Sequence, residues 1–392
     1  MRPSTRIAFP LPVAATLLAL VGAIALLAAE SAGLRGVGYA RAAVDRLHFR
    51  ETLLDGLLPF LLFAGALDVD LDALMGEKLP VGLLATAGVL VSTAIVGALV
   101  WATSKPLGLA TTVGEALLFG ALISPTDPIA VLGMLRASAT PKRLDVQLAG
   151  ESLFNDGFGV VVFFAIAELT AHRSVAPAAV GLLLVRQVAG GMMLGYLGGR
   201  LARAILRRMG FAPFAALVTL GLTVGVFWAA KILGLSGLLA VIVAGLLVSR
   251  SMRSGGPEAS PVAERLREFW TVIDGVLNVG LFGLIGLEAL IVPFTPRAVV
   301  AGLVAVPVVI VARLVVVGGT LVPLAGRRGL PARTIPILTW GGLRGGLALA
   351  LALALEPDIA GAPLLTMTYV VVVFSIVVQG LTFRRLLPPG PP

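Results

Sequence analysis

Ser124-Pro125-Thr126-Asp127-Pro128 sits in the middle of an apolar run, residues 112–135. That run is long enough to cross a hydrocarbon layer of about 30 Å as a helix. Each proline lacks an N–H and clashes with the carbonyl four residues back, so contacts to Ala121 and Ser124 are lost. Ser124 and Asp127, each preceding a proline, are pushed out of the α region. The run should therefore form two half-helices joined by extended chain at mid-membrane. Such backbone survives in a bilayer only where protein buries it or where it lines a wet cavity. A packed kink would account for one proline. Two prolines bracketing an acid favour a site, because a charge at the bilayer centre costs about 2.5–3.5 kcal/mol on insertion scales.

The rest of the chain fits a membrane setting. Of 392 residues, 58% are hydrophobic and 13% charged, and the mean hydropathy is +1.01. A soluble domain carries about 25% charge, and a disordered chain is polar rather than apolar. Outer-membrane strands alternate apolar and polar residues, which these runs do not. Twelve spans are expected, near 7–29, 52–68, 79–101, 112–135, 145–169, 178–199, 212–230, 235–249, 270–291, 298–322, 334–355 and 363–383. The connections between them are short, which leaves no room for a soluble domain. There are no cysteines, and the two histidines, His48 and His172, fall in expected loops. Thiolate chemistry and imidazole metal clusters are thereby excluded, and no cofactor is expected. The net charge of +9 does not indicate a nucleic-acid partner. Even-numbered loops and both termini hold 19 Lys and Arg against 8 in the odd-numbered loops, which places both termini in the cytoplasm. Arg35, Arg41, Arg46 and Arg50 in the first loop run against that trend. The first apolar stretch, preceded by Arg2 and Arg6, exceeds the usual signal h-region of about 7–15 residues and is read as a retained span.

Two further spans carry unusual polarity. The fifth reads Gly150-Glu151-Ser152-Leu153-Phe154-Asn155-Asp156-Gly157. At about 100° per residue, Glu151, Asn155, Ser152 and Asp156 share one face, while Leu153 and Phe154 point away. An interhelical hydrogen-bond network would explain Ser152 and Asn155. It explains two acids poorly, since neighbouring carboxylates do not both ionise cheaply without a cation or proton between them. The eleventh span reads Gly341-Gly342-Leu343-Arg344-Gly345-Gly346, whose glycines loosen a helix and admit close backbone approach. Arg344 stays charged and needs a buried partner, for which Glu151 is the candidate. Interruptions in the fourth and eleventh spans would correspond if segments 1–5 and 8–12 are inverted repeats. Paired broken helices at the midplane mark a secondary transporter's binding site. Arg186 and Arg313 are expected to pair or snorkel at span ends, Glu288 to be interfacial or structural, and the acidic loop of Asp68, Asp70, Asp72 and Glu77 to be solvated. Asp274 is deep enough to be of interest.

With these residues in view, the chain resembles the monovalent cation:proton antiporters, specifically the NhaP-like sodium/proton exchanger branch with an Asn-Asp pair. The resemblance rests on Thr126-Asp127-Pro128, on Gly150 to Asp156 and on Gly342-Leu343-Arg344-Gly345, in that order. Leu58 to Phe63 and Asn278 to Glu288 add two more matching stretches. It implies an all-α polytopic membrane fold of about 12 helices, with inverted repeats and two crossed discontinuous helices. It further implies an ion-binding core near 79–169 and 298–385, moving against a dimerisation scaffold near 7–68 and 178–291. Residue by residue, Asp156 would carry the cation or proton with Asp127 beside it. Ser152 and the Thr126 carbonyl would add oxygens for Na+. Asn155 would pin the unwound chain between Pro125 and Pro128, and Glu151 would pair with Arg344. The Asn-Asp pair implies electroneutral exchange. Ala64 stands where relatives often have Glu, and many relatives carry an extra leading span.

The expected function is thus a secondary active antiporter, not an enzyme, exchanging Na+ or Li+ for H+ by alternating access. It would act as a homodimer in a bacterial inner membrane. A K+/H+ antiporter would use the same site. An organic-solute symporter would call for a long central loop that is missing here. An intramembrane aspartyl protease would call for a Gly-Asp setting that neither Asp127 nor Asp156 has.

Overall fold

The computed structural model describes residues 11–32, 37–138, 140–171, 177–208, 211–253, 261–328, 333–355 and 357–388. Arg2, Arg6, Arg35, His172 and the last four residues of the proline-rich tail lie outside the described residues. The chain opens with α1 (Leu11–Ser31), α2 (Val37–Asp45), α3 (Phe49–Glu51), α4 (Leu58–Asp68), α5 (Leu71–Gly76), α6 (Lys78–Ala85) and α7 (Ala87–Ser104). Its middle gives α8 (Val113–Ile123), α9 (Ile129–Arg136), α10 (Lys142–Ala171), α11 (Pro177–Leu206), α12 (Ala212–Ile232) and α13 (Gly237–Arg253). The remainder forms α14 (Pro261–Leu287), α15 (Pro296–Arg328), α16 (Thr334–Gly341), α17 (Gly346–Leu353), α18 (Pro357–Phe374) and α19 (Gly380–Thr382). Among the described residues there is no strand.

Eight spans are long and apolar enough to cross a membrane, or nine if the bent pair α16 and α17 counts as one. A count of twelve is therefore not confirmed by length and composition. Three expected spans fall short for identifiable reasons. The one at 52–68 begins as a π-helical stretch, Thr52–Leu57, before α4. The one at 112–135 is split into α8 and α9, and the one at 235–249 is the 17-residue α13.

Local sequence explains how the split helix starts. Thr112 and Glu115 form a reciprocal cap, with Thr112 N–H donating to Glu115 Oε2 at 2.7 Å and Glu115 N–H to Thr112 Oγ1 at 3.2 Å. Capping fixes the start of α8, and the two prolines stop it after Ile123.

The helices pack in two groups. Helices α1, α4, α11, α12, α13 and α14 lie chiefly on one another, while α6, α7, α8, α16 and α18 surround α10 and α15. In hydrocarbon there is little hydrophobic drive between helices, so small residues that let backbones approach decide such contacts. Gly191, Gly195 and Gly199 form one ridge on α11 against Ser236, Ala240 and Ala244 at the same four-residue spacing around the start of α13. A Cβ at Gly195 would land on the Ala240 carbonyl. Gly195→Val should therefore push α11 from α13 at a cost of about 1–3 kcal/mol. It should lower the unfolding temperature in detergent, whereas Gly181→Val, with open space beside it, should leave that temperature unchanged.

Candidate ion-binding site

The two interrupted helices meet at their breaks. Asp127 N–H, in the extended chain between α8 and α9, donates to the Leu343 carbonyl between α16 and α17 at 2.8 Å. Approach is close enough that a Cβ on Gly345 would strike the Asp127 carboxylate. Here the glycine is needed for space, since its backbone is ordinary extended chain.

Proline at 125 cannot donate to Ala121, so the backbone groups of the break must find other partners. Ser124 Oγ donates to the Gly120 carbonyl at 2.6 Å. Arg344 reaches across and donates to the Ser124 carbonyl and, at 2.8 Å, to the Pro125 carbonyl. From α10, Ser152 Oγ donates to the Thr126 carbonyl at 2.6 Å. Asn155 accepts from Thr126 N–H at 3.3 Å and donates to Thr126 Oγ1 at 2.8 Å. Asp127 Oδ1 accepts from the N–H of Ile129, the first residue of α9, at 3.1 Å, where the helix dipole favours negative charge.

The second break is held in the same way. Arg313, on α15, donates to the Leu338 carbonyl near the end of α16 at 3.1 and 3.3 Å. Arg344 N–H donates to Ser375 Oγ at 2.8 Å, and that hydroxyl donates to Gln379 Oε1 in a π-helical stretch, Ser375–Gln379.

One pairing expected from sequence does not form. Glu151, fully buried, takes both Nη groups of Arg313 in a fork, with Nη2 to Oε2 at 2.8 Å. Arg344 bonds to carbonyls instead. The reason is angular: Glu151 projects from α10 toward α15, and Arg344 leaves its break toward the exposed C-terminal carbonyls of α8. Those carbonyls carry the negative end of the helix dipole, which suits a guanidinium without a carboxylate. Arg313, assigned by sequence to a span end, is instead 5% exposed in the middle of the bundle. Its lone charge inside an apolar run was the available signal, because such a charge demands a partner.

In front of this scaffold lies a cavity of about 240 Å³. Asp127, Ser152 and Asp156 line it, with Ala64 on the facing wall. Asp68 at the end of α4, Arg136 at the end of α9 and Arg267 on α14 also line it, and these charged side chains mark its polar end. Thr126 is fully buried behind the wall, and Asn155 and Glu151 are buried with it. Of the four residues nominated as cation ligands, three thus share the cavity and Thr126 does not. Asp274 also lines the cavity. Asp68, read as a solvated loop acid, stands at that polar end and pairs with Arg136 at 3.5 Å. Glu288 is buried at the end of α14. Two acids and a hydroxyl on one cavity wall can hold a small hard cation or a proton.

Paired broken helices meeting beside a cavity are the architecture of a secondary transporter. The chain belongs to the sodium/hydrogen exchanger family: residues 1–388 match the family described as "Sodium/hydrogen exchanger, transmembrane". It is 41% identical over 366 residues to the Na(+)/H(+) antiporter NhaP of Pseudomonas aeruginosa, covering 91% of this chain and 86% of that protein. It is 31% identical to the Na(+)/H(+) antiporter NhaH of Halobacillus dabanensis, covering 86% and 83%. Its fold matches that of the sodium proton antiporter MjNhaP1 from Methanocaldococcus jannaschii, with a TM-score of 0.69 over 95% of each chain at 19% identity.

Removing one member of a buried pair strands the other charge at about 3–5 kcal/mol. Glu151→Leu or Arg313→Met alone should therefore lower the unfolding temperature in detergent strongly, and the double variant should recover most of the loss. Glu151→Leu with Arg344→Met should recover much less, because Arg313 is still left without its fork partner.

Proposed function

We propose that this chain is a secondary active antiporter that exchanges Na+, or Li+, for H+ across a membrane by alternating access. Asp156 is the carrier, with Asp127 beside it. The single observation that carries this reading is the cavity ending on both acids at the crossing of two interrupted helices. The names of the curated relatives, sodium/proton antiporters in each case, favour sodium over potassium.

The chemistry follows from one carboxylate with two possible occupants. Sodium binds oxygen ligands, and the carboxylate must be deprotonated to serve as one. A proton bound at Asp156 removes the charge that holds the cation, so each occupant excludes the other and the fluxes are coupled. Asp127, bonded to Ile129 N–H and set against Gly345, is held in place while Asp156 exchanges partners. Ser152 contributes a hydroxyl on the same wall.

In this reading the helices around α10 and α15, near 79–169 and 298–385, form a moving core. Those near 7–68 and 178–291 form the scaffold and the contact of a homodimer. The protein sits in the inner membrane with both termini cytoplasmic, so the cavity faces the cytoplasm. Exchange is one for one and needs no cofactor.

Purified protein in liposomes, followed with a pH dye and a membrane-potential probe, tests this directly. Sodium and lithium should move protons without changing the potential, and potassium should do so far less. Asp156→Asn should abolish the flux while leaving the folded protein intact, and wild-type flux in that variant would refute the assignment. Competition also fixes a sign: half-saturating sodium should fall as pH rises, because fewer protons contest the carboxylate.

A further inference from the structure

The cavity has two sides with different roles. Asp127 and Asp156 stand on the α8–α9 break and on α10, within the group packed around α10 and α15. The opposite wall comes from α4 and α14 of the other group, and its one deep acid is Asp274. Nothing in the mechanism above uses it.

Three observations single it out. First, the charges acting on Asp274 are Asp68 and Arg136 at the polar end and Asp127 at the inner end, so it lies in electrostatic reach of both. Second, Asn278, one helical turn on, is hydrogen-bonded to Asp274 through its side chain. Asn278 is 4% exposed, and its Oδ1 has no hydrogen-bond partner among the described residues. That amide holds the carboxylate on its wall of the cavity, which Asp274 itself lines. Third, Asp274 stands on α14, across the cavity from the α8–α9 break and α10 that carry Asp127 and Asp156.

We infer that Asp274 is a staging site on the wall facing Asp127 and Asp156, where the entering alkali cation waits before transfer to Asp156. This deepens the antiporter reading and depends on its two-group motion. When the core carries the ion across, Asp274 remains behind. Its charge therefore raises sodium affinity only on the side to which the cavity is open. The carrier presents unequal affinities to the two sides, although the same Asp156 serves both.

Sidedness is what a merely structural acid would not produce. Half-saturating sodium is measured in everted and in right-side-out membrane vesicles, so that each face is titrated separately. Asp274→Asn should raise it about fivefold on one face, the scale of one partly screened charge pair, and leave the other face unmoved. Asp274→Glu, which keeps the charge, should restore the wild-type value. An equal change on both faces, or on neither, overturns the inference. If wild-type protein itself shows no sodium-driven proton flux in these vesicles, the antiporter reading fails instead. An active wild type with an unaltered Asp274→Asn removes the staging site alone.

Discussion

A helix interrupted in hydrocarbon exposes backbone groups that water cannot reach, and each unsatisfied one costs several kcal/mol. This structure meets that constraint with two arginines. Arg344 leaves one break and donates to the Ser124 and Pro125 carbonyls just past α8, and Arg313 donates to the Leu338 carbonyl of α16 from a neighbouring helix. Asn155 and Ser152 complete the set around Thr126. Remove these donors and the extended chain at mid-depth has no reason to stay open.

The charges form a connected arrangement rather than separate pairs. Two guanidinium groups sit at the negative ends of half-helices, one paired with Glu151 in a fork and the other hydrogen-bonded to carbonyl oxygens. Asp127 occupies the opposite pole, at the start of α9. Each end of the crossing thus carries the charge that its dipole favours. The back of the site is buried and hydrogen-bonded around Thr126, while the cavity in front carries Asp127 and Asp156. In the proposed mechanism that division would let an ion change places with a proton without loosening the fold. The cavity runs along the seam between two helix groups, where relative movement would change access while leaving each group's packing intact.

Much of this was legible in one dimension. Prolines flanking an acid, four glycines about an arginine and one polar face on a long helix are local facts. Proline chemistry and helical periodicity turn them directly into broken helices and a site. Partner choice was not legible. Glu151 has two buried arginines to choose from, and only the direction in which each side chain leaves its helix selects Arg313 over Arg344. The twelve-span count was less secure for a similar reason, since a π-helical start at Thr52 and a split at Ser124 change what length alone can certify.

Sequence by itself determined that the chain lies in a membrane, where its helices break and which acids stand at mid-depth, because these follow from composition and short-range sterics. Only the tertiary structure decided which arginine neutralises Glu151, that Thr126 lies behind the cavity wall, and that Asp274 and Asp68 share the cavity with Asp156. Those outcomes depend on how helices far apart in the chain rotate about their own axes as they pack, and no local pattern encodes that rotation.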